Sequence, residues 1–545
     1  MKKIVYLVAN GDSCQSANQY AEAHQVAIEQ QLSEILHKEG YKTKRAHSFD
    51  RTKQHGFIDS QHYGLEVFRS IPREAPVILV STILQCSQHI ISAVYDREIN
   101  LLTFSLWDGM SQGLPAMLEL NGALKRSSIK FNTLWTDDLH NPVFQSKLSL
   151  WLQSGKIKHS TPHTRQFRNK TIPKLTRKMG EEMARELKTD KAIMGIVNEG
   201  WKGGCQTIVP DHLLCASGIF KERLSHLTFH HEIDRVSEPE AKRVLLWLKK
   251  RGLPITLDTN GTNKKNGAAP IDYKEQTNGN GHYKQDTLFQ QAKYYVAAVR
   301  LAHKYGCSSI GIQNRPHTPA QDQKIEFFES LLNNVDRPPV YRIGTRKELF
   351  SGQALPYFTQ ADEFAGFDSI VTNKVWNRLG FAPETWSYNI FWGLHIEDQE
   401  TMTFVWILTC HGTPPPSHLQ SNFAACYLDE KQKGKSVHLT CKAGWGVWSN
   451  IYFEDDRLRA DLGLIQIPLL TKKQYQSMEA LVPKDHSYMP AALPGITRDQ
   501  MLARHRSRRV QIGYAPTRED ATRALRVKGV ALQKLGLKVT ICGRF

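Results

Sequence analysis

The sequence predicts an α/β protein in which two open parallel-sheet α/β domains are followed by a β-rich C-terminal domain. Up to about residue 345, short apolar runs alternate with helical patterns, which is typical of parallel strands covered by helices on both faces. Beyond residue 346, strand-like segments and turn residues dominate, which favours an antiparallel sheet or barrel. A chain of 545 residues is long enough for roughly two to four domains. We place three domains at residues 1–160, 161–345 and 346–545.

The first domain is predicted from four apolar strands with helices between them. The strands are expected at residues 4–9, 76–81, 101–106 and 129–135, with a helix at about 16–38. Trp107 follows the third of these strands, at the carboxyl end where ligands of open α/β sheets bind. An exposed indole there would offer a flat apolar face to a ligand. The alternative is that Trp107 packs beneath its own loop.

The second domain is expected to follow a basic connector at residues 160–190. A buried strand at 192–197 leads into a Gly-rich loop that contains Glu199, but neither nucleotide-binding glycine motif is present, so a phosphate loop is disfavoured. Residues 260–281 are rich in Asn, Gly and Lys, which predicts a long exposed loop. A helix at 286–305 and a strand that ends at Gln313 complete this domain.

The third domain is expected to be mostly strands, closed by one helix. The strands are predicted at residues 403–410, 437–442, 447–454, 461–468, 510–514 and 537–542, and the helix at 518–534. Trp445 and Trp448 resemble a carbohydrate-binding pair, but the alternation favours one of them in the core and one covering the barrel.

The amino-acid composition limits the kinds of binding partner and the cellular compartment that the sequence predicts. Lys and Arg number 71 against 53 Asp and Glu, a net charge of +18, which favours anionic partners. Because only short basic clusters stand out, chiefly residues 504–509 and 165–191, most of this charge is expected on solvated faces and nucleic acid is not the predicted ligand. Nine cysteines without a Cys-x-x-Cys pair predict a reducing, cytoplasmic environment. No apolar run reaches the roughly 18 residues that a membrane span needs.

Residues 354–393 resemble the L-fucose isomerase family and the related L-arabinose isomerases. Phe358, Gly366 and Trp392 carry the resemblance, together with the segments 498–500 (Arg-Asp-Gln) and 503–505 (Ala-Arg-His). The resemblance runs from about Gly64 to Gly543. It implies a fucose isomerase-like fold, a role in carbohydrate metabolism and a closed homo-oligomer. In the family a Glu, an Asp and a His hold a divalent metal, usually manganese.

The positions of the three metal ligands read Gln360, Asn389 and Arg509 in this sequence. An amide cannot serve as a general base near neutral pH, and a guanidinium has no lone pair for a metal. The resemblance therefore implies that the Mn²⁺ site is lost and that no cofactor is bound, which makes the chain a candidate pseudoenzyme. It also implies that Trp107, Glu199, Gln313 and His411 border the sugar.

The sequence predicts a protein that binds a sugar, or an acidic or phosphorylated sugar derivative, with altered or no ketol-isomerase activity. A first alternative is an active metal-dependent aldose–ketose isomerase in which Asp362 or Glu363 replaces Gln360 as a ligand, and Asp398 and His505 supply the others. A second alternative is a non-enzymatic basic scaffold or a nucleic-acid-associated protein.

Overall fold

The computed structural model describes most of the chain. The described residues are 4–83, 88–95, 97, 99–107, 113–199, 207–251, 255–258, 287–313, 329–398, 401–410, 417, 425–429, 435–438, 441–482 and 487–544. Within these ranges no helix is both long enough and apolar enough to cross a bilayer.

The first structural unit is a parallel sheet with helices. Its strands are β1 (Ile4–Val8), β2 (Lys42–Arg45), β3 (Pro76–Val80), β4 (Asn100–Leu106) and β5 (Asn132–Thr136). Its helices are α1 (Gln15–Lys38), α2 (Gln61–Arg69), α3 (Ile91–Val94), α4 (Gly113–Arg126) and α5 (Pro142–Ser154). The strand order is β2-β1-β3-β4-β5 and every neighbouring pair is parallel. The apolar runs of this part of the sequence form the buried strands, as predicted.

The second unit is built around a four-stranded parallel sheet. The strands in this part of the chain are β6 (Thr164–Gln166), β7 (Ala192–Val197), β8 (Ile219–Leu224), β9 (Ile255–Asp258), β10 (Ser309–Ile312) and β11 (Tyr357–Thr359). The helices are α6 (Lys174–Asp190), α7 (Asp211–Ala216), α8 (His226–Asp234), α9 (Glu238–Lys250) and α10 (Thr287–Lys304), with 3₁₀ turns at Asn169–Thr171 and Glu329–Asn333. The sheet order is β11-β10-β7-β8, all parallel. The loop predicted at residues 260–281 lies outside the described residues.

The third unit is β-rich. Its strands are β12 (Thr385–Asp398), β13 (Thr401–Cys410), β14 (Ala425–Asp429), β15 (Lys435–His438), β16 (Gly444–Glu454), β17 (Arg457–Ile467), β18 (Ser487–Ala491), β19 (Arg509–Ala515) and β20 (Lys538–Cys542). Its helices are α11 (Glu363–Leu379), α12 (Lys472–Glu479), α13 (Arg498–Arg504) and α14 (Arg518–Lys534). The main sheet has eight strands in the order β18-β13-β12-β19-β16-β17-β20-β6. All its neighbouring pairs are antiparallel except β17 with β20. A separate three-stranded sheet has the order β15-β14-β9.

The predicted mixed α/β class, with parallel sheets before a β-rich part, is therefore confirmed. The segment expected to be a connector differs, because β6 pairs with β20 at the edge of the eight-stranded sheet and α6 packs on α14. A Cβ added to Gly180 would lie 2.7 Å from the carbonyl oxygen of Val527, so glycine is required for that close helix contact. Such a close helix contact needs few large apolar residues, so the hydrophobic pattern of the sequence does not predict that α6 packs on α14. Trp448 is buried and Trp445 is half-buried, as the alternation predicted.

A buried ion pair joins α14 to α11 and β16. The Lys528 ammonium lies 2.5 Å from Asp368 Oδ1 and donates to Thr372 Oγ1 and Ser449 Oγ, each at 2.7 Å. Ser449 Oγ in turn donates to Asp368 Oδ2 at 2.7 Å. Because the side chains of Lys528 and Asp368 are only 1% and 2% exposed, neither charge has water as an alternative partner.

We expect Lys528→Met to lower the free energy of unfolding by about 3–5 kcal/mol, because it leaves the Asp368 carboxylate buried without a counter-charge. Adding Asp368→Asn should recover part of this loss, since the uncompensated charge is then removed. Urea denaturation measures both. The control is Lys534→Met on the same helix, where an exposed pair with Glu181 predicts a loss of at most about 1 kcal/mol. Equal losses in the two lysine variants would show that the buried pair is not a structural anchor.

Candidate functional site

A cleft lies where α4, the start of α11, the β16 strand and the segment before β19 meet. Its basic lining residues are Lys125, Arg126, Arg506, Arg508 and Arg509, and its acidic ones are Glu119, Asp362, Asp368 and Glu454. Between the described residues the cavity volume is about 50 Å³, which is room for several waters or one small charged group. The cleft is therefore small, and rich in guanidinium groups.

Gln360 connects this cleft to the second parallel sheet. It follows β11 and, with Ala361, has a positive φ, 55° and 50° respectively, a conformation that residues other than glycine seldom adopt. The turn directs the Gln360 side chain toward the segment before β19. There its Oε1 accepts hydrogen bonds from Arg508 Nη2 and Arg509 Nη2, each at 2.6 Å. Strained backbone of this kind often marks functional sites.

The Arg509 guanidinium is enclosed by oxygen atoms. Besides Gln360 Oε1, its Nη1 donates to the Thr359 carbonyl at 2.6 Å and to Asp362 Oδ2 at 3.2 Å. Asp362 Oδ1 also caps α11 by accepting from the first backbone N–H groups of that helix. The guanidinium therefore holds the loop after β11 and the start of α11 in one arrangement.

Asn389 is the cross-strand neighbour of Arg509 in the β12–β19 pair, and is itself paired with Thr409 on its other side. Its side chain is half-buried. The structure thus links all three positions singled out in the sequence: Gln360 to Arg509 by a hydrogen bond, and Asn389 to Arg509 by strand register.

These residues do not fit a divalent metal. The Arg509 guanidinium has no lone pair to donate and repels a cation, and the Gln360 oxygen is already shared by two guanidinium groups. Within the described ranges, no three His, Cys, Asp or Glu side chains are grouped closely enough to hold an ion.

The residues considered as replacement ligands have other roles. Asp362 binds Arg509, and Glu363 Oε2 lies 2.7 Å from a lysine ammonium. His505 Nε2 donates to the Arg509 carbonyl at 3.1 Å, and burial lowers the pKa of His505 to about 3. Asp398 is at the far end of β12, nine residues from Asn389, which along a strand is about 30 Å.

Two of the expected sugar-bordering residues lie at one edge of the second sheet. Gln313 follows β10 and Glu199 follows β7 by two residues, at the carboxyl edge where Gln360 follows β11. In the sheet register Ile312 is paired with both Val197 and Thr359, so these polar residues end three adjacent strands. Ligands of parallel sheets bind at this edge.

Trp107 and His411 differ from these. The expectation of an exposed Trp107 is wrong: it is 6% exposed and packs against Phe404 and Trp406, with ring centroids 6.0 and 5.8 Å away. Trp107 directly follows β4, and side chains of β13 cover its indole, so the ring is shielded from solvent. His411 lies outside the described residues.

Glu199 belongs to an ion-pair cluster that the sequence did not reveal. The Lys221 ammonium lies 3.1 Å from Glu199, 2.8 Å from Asp211 and 2.7 Å from Glu363, and Arg223 bridges Glu199 and Asp211. Burial raises the pKa of Glu363 to about 7, although Lys221 and a backbone N–H oppose the rise. Lys221 and Glu363 are far apart in sequence, so no local pattern predicts the pair.

The basic run at residues 504–509 contains a further functional candidate, Arg506, which the sequence alone did not single out. Its guanidinium is half-buried in the cleft wall and donates from Nη1 to the His505 carbonyl at 3.3 Å. In the part of the chain that the structure describes, no carboxylate pairs with it. Burial accordingly lowers the pKa of Arg506. Although the Glu454 carboxylate in the same cleft opposes this shift, it forms no ion pair with Arg506, which makes Arg506 a candidate for contact with an anion.

Comparison with known proteins adds no assignment: no protein-family model matches the chain, and no curated protein sequence matches it.

We expect the stability of the protein to fall as pH rises through the titration of Glu363. The folded protein keeps a proton on this carboxyl up to about pH 7, while the unfolded chain releases it near 4.5. Relative to Glu363→Gln, the free energy of unfolding of the wild type should therefore decrease by about 3 kcal/mol between these pH values. Denaturation at several pH values measures the difference. Glu519→Gln, an exposed position on α14, should run parallel to the wild type, and a parallel Glu363→Gln curve would contradict the raised pKa.

Proposed function

We propose that the chain is a degenerate member of the L-fucose isomerase-like proteins that binds a small anionic sugar derivative, acidic or phosphorylated, with altered or no ketol-isomerase activity. The observation that carries the proposal is the Arg506 guanidinium, which lines the cleft beside Arg508 and Arg509 without a carboxylate partner in the described residues. Phosphate and carboxylate oxygens are the acceptors that guanidinium groups bind best.

The Arg509 contacts supply a reason for the loss of metal chemistry. In the family that the sequence resembles, a divalent ion provides positive charge between carboxylate and sugar oxygens. Here the guanidinium of Arg509 lies among the oxygens of Thr359, Gln360 and Asp362. A permanent cation therefore stands among these oxygen atoms, and it can attract an anion but cannot activate a coordinated hydroxyl. The neutral amides of Gln360 and Asn389 provide no general base.

Polar groups on the cleft wall suit the hydroxyls of a polyol. Thr207 Oγ1 and Ser387 Oγ line the cleft, are buried, and have no hydrogen-bond partner among the described residues. A buried hydroxyl without a partner is costly, and a ligand hydroxyl would satisfy each one. Together with the arginines, these groups favour a ligand that combines a negative charge with hydroxyls.

We expect Arg506→Gln to weaken binding of an acidic or phosphorylated sugar at least about tenfold, because a charge-assisted contact in a desolvated cleft is lost. Isothermal titration with glucose 6-phosphate, gluconate and neutral L-fucose tests this. Arg185→Gln, an exposed position on α6, is the matched control and should bind as the wild type does. Tighter binding of L-fucose than of both anions would contradict the proposal.

The family assignment has its own test, the triple variant Gln360→Glu, Asn389→Asp, Arg509→His. If these are the metal-ligand positions, the variant should gain a Mn²⁺-dependent rise in melting temperature, since a ligand that binds only the native state stabilises it. The double variant that keeps Arg509 is the control and should not respond. A manganese response of the wild-type chain would instead support the active metal-dependent isomerase.

A further inference from the structure

A second basic cleft lies in the second unit and shares no lining residue with the first. It is formed by the end of α8, the start of α9, the last turns of α10 and the loop at residues 341–346. We call it the arginine cleft, after its five arginines Arg235, Arg243, Arg300, Arg342 and Arg346. The volume of the arginine cleft is about 980 Å³, so it is much wider than the first cleft.

Arg300 is the buried member of the arginine cleft. Its residue is 6% exposed, and its Nη2 is paired with Glu240 Oε1. Its Nε and Nη1 are also buried, but they have no hydrogen-bond partner among the described residues. Buried guanidinium nitrogens are almost always hydrogen-bonded, and leaving them without an acceptor costs free energy. The two nitrogens therefore indicate an acceptor that the chain itself does not provide within the described ranges.

The charge of the arginine cleft is poorly balanced. Among its described lining residues Glu240 is the only carboxylate. Glu240 Oε1 is ion-paired with Arg300 and, at 3.8 Å, with Arg243. Its Oε2 is taken up by the Ser237 hydroxyl at 2.8 Å and the Ser237 N–H at 3.0 Å, in the capping box of α9. Arg235 is paired with Glu232, outside the cleft lining, at 3.2 Å. The arginines of the cleft without a carboxylate partner among the described residues are therefore Arg342 and Arg346.

The loop that contributes Arg342 and Arg346 is ordered by its own hydrogen bonds. The Arg342 N–H donates to the Lys347 carbonyl at 2.9 Å, and Thr345 donates to the Arg342 carbonyl from both its N–H and its hydroxyl, each at 3.0 Å. Both arginine side chains are exposed, and neither has an ion pair in the part of the chain that the structure describes. They line the arginine cleft together with Arg300.

We propose that the arginine cleft is a binding site for a multiply charged phosphate group of the pyrophosphate type, separate from the sugar-derivative cleft. Guanidinium groups bind phosphate oxygens through paired N–H donors, and several can share one phosphate. A single carboxylate ligand would satisfy the two Arg300 nitrogens but would leave the exposed Arg342 and Arg346 unmatched. Two linked phosphates match both the buried donors and the exposed arginines.

The test is isothermal titration of the full-length protein with inorganic pyrophosphate at constant ionic strength. We expect wild-type binding, at least about tenfold weaker binding by Arg300→Gln, and several-fold weaker binding by Arg346→Gln, which lies on an exposed loop and leaves the core unchanged. Arg185→Gln is the matched control and should bind normally. Arg506→Gln should also bind normally, so that failure of the first cleft does not affect this result.

Three results would overturn the proposal. The first is a wild-type dissociation constant weaker than about 1 mM. The second is an equal loss of affinity in Arg346→Gln and Arg185→Gln, which would mean that only net charge matters; this comparison holds even if Arg300→Gln does not fold. The third is binding of a single-stranded oligonucleotide without binding of pyrophosphate, which would assign the arginine cleft to nucleic acid.

Discussion

The contact of Arg509 with the loop after β11 joins two parts of the molecule. Arg509 begins β19 in the middle of the eight-stranded sheet, and its guanidinium binds the oxygens of Thr359, Gln360 and Asp362 at the edge of the four-stranded sheet. Asp362 is also the N-cap of α11, so the placement of that helix depends on the same contact. The Arg509 carbonyl accepts hydrogen bonds from His505 and Asn450. The backbone of Arg509 is therefore held in place as well as its side chain.

The contacts that stabilise the fold also set the chemistry of the first cleft. The Arg509 guanidinium that binds the N-cap residue of α11 stays protonated at any pH at which the protein folds. The cation is therefore permanent. Further along α11 the Lys528–Asp368 pair repeats the principle, since a buried lysine is held by a carboxylate and two hydroxyls. Most charged side chains near the cleft are held in structural ion pairs. Arg506 differs because it has no carboxylate partner among the described residues.

The two clefts follow one electrostatic rule with different geometry. In each, at least one guanidinium group has no carboxylate partner, and a buried polar atom has no hydrogen-bond partner, among the described residues. The first is narrow and includes hydroxyls, which suits a small anion that carries hydroxyl groups. The arginine cleft is wide, and exposed arginines on one loop face a buried one, which suits a larger and more highly charged group.

Through a family resemblance the sequence singled out Gln360, Asn389 and Arg509, whose role stays a prediction. By itself the sequence determined the alternation of strands and helices and the change to strands after residue 346. These features depend on local hydrophobic periodicity and on residue chemistry, which are written in consecutive positions. Only the tertiary structure decided which way each side chain of the basic run at residues 504–509 points: Arg504 pairs with Asp461, Arg506 lines the cleft and Arg509 binds Gln360. It also decided that Trp107 is buried against β13, and that Arg300 meets four other arginines from distant segments. Partners separated by many residues leave no periodic signal, because burial and charge pairing are set by packing between elements.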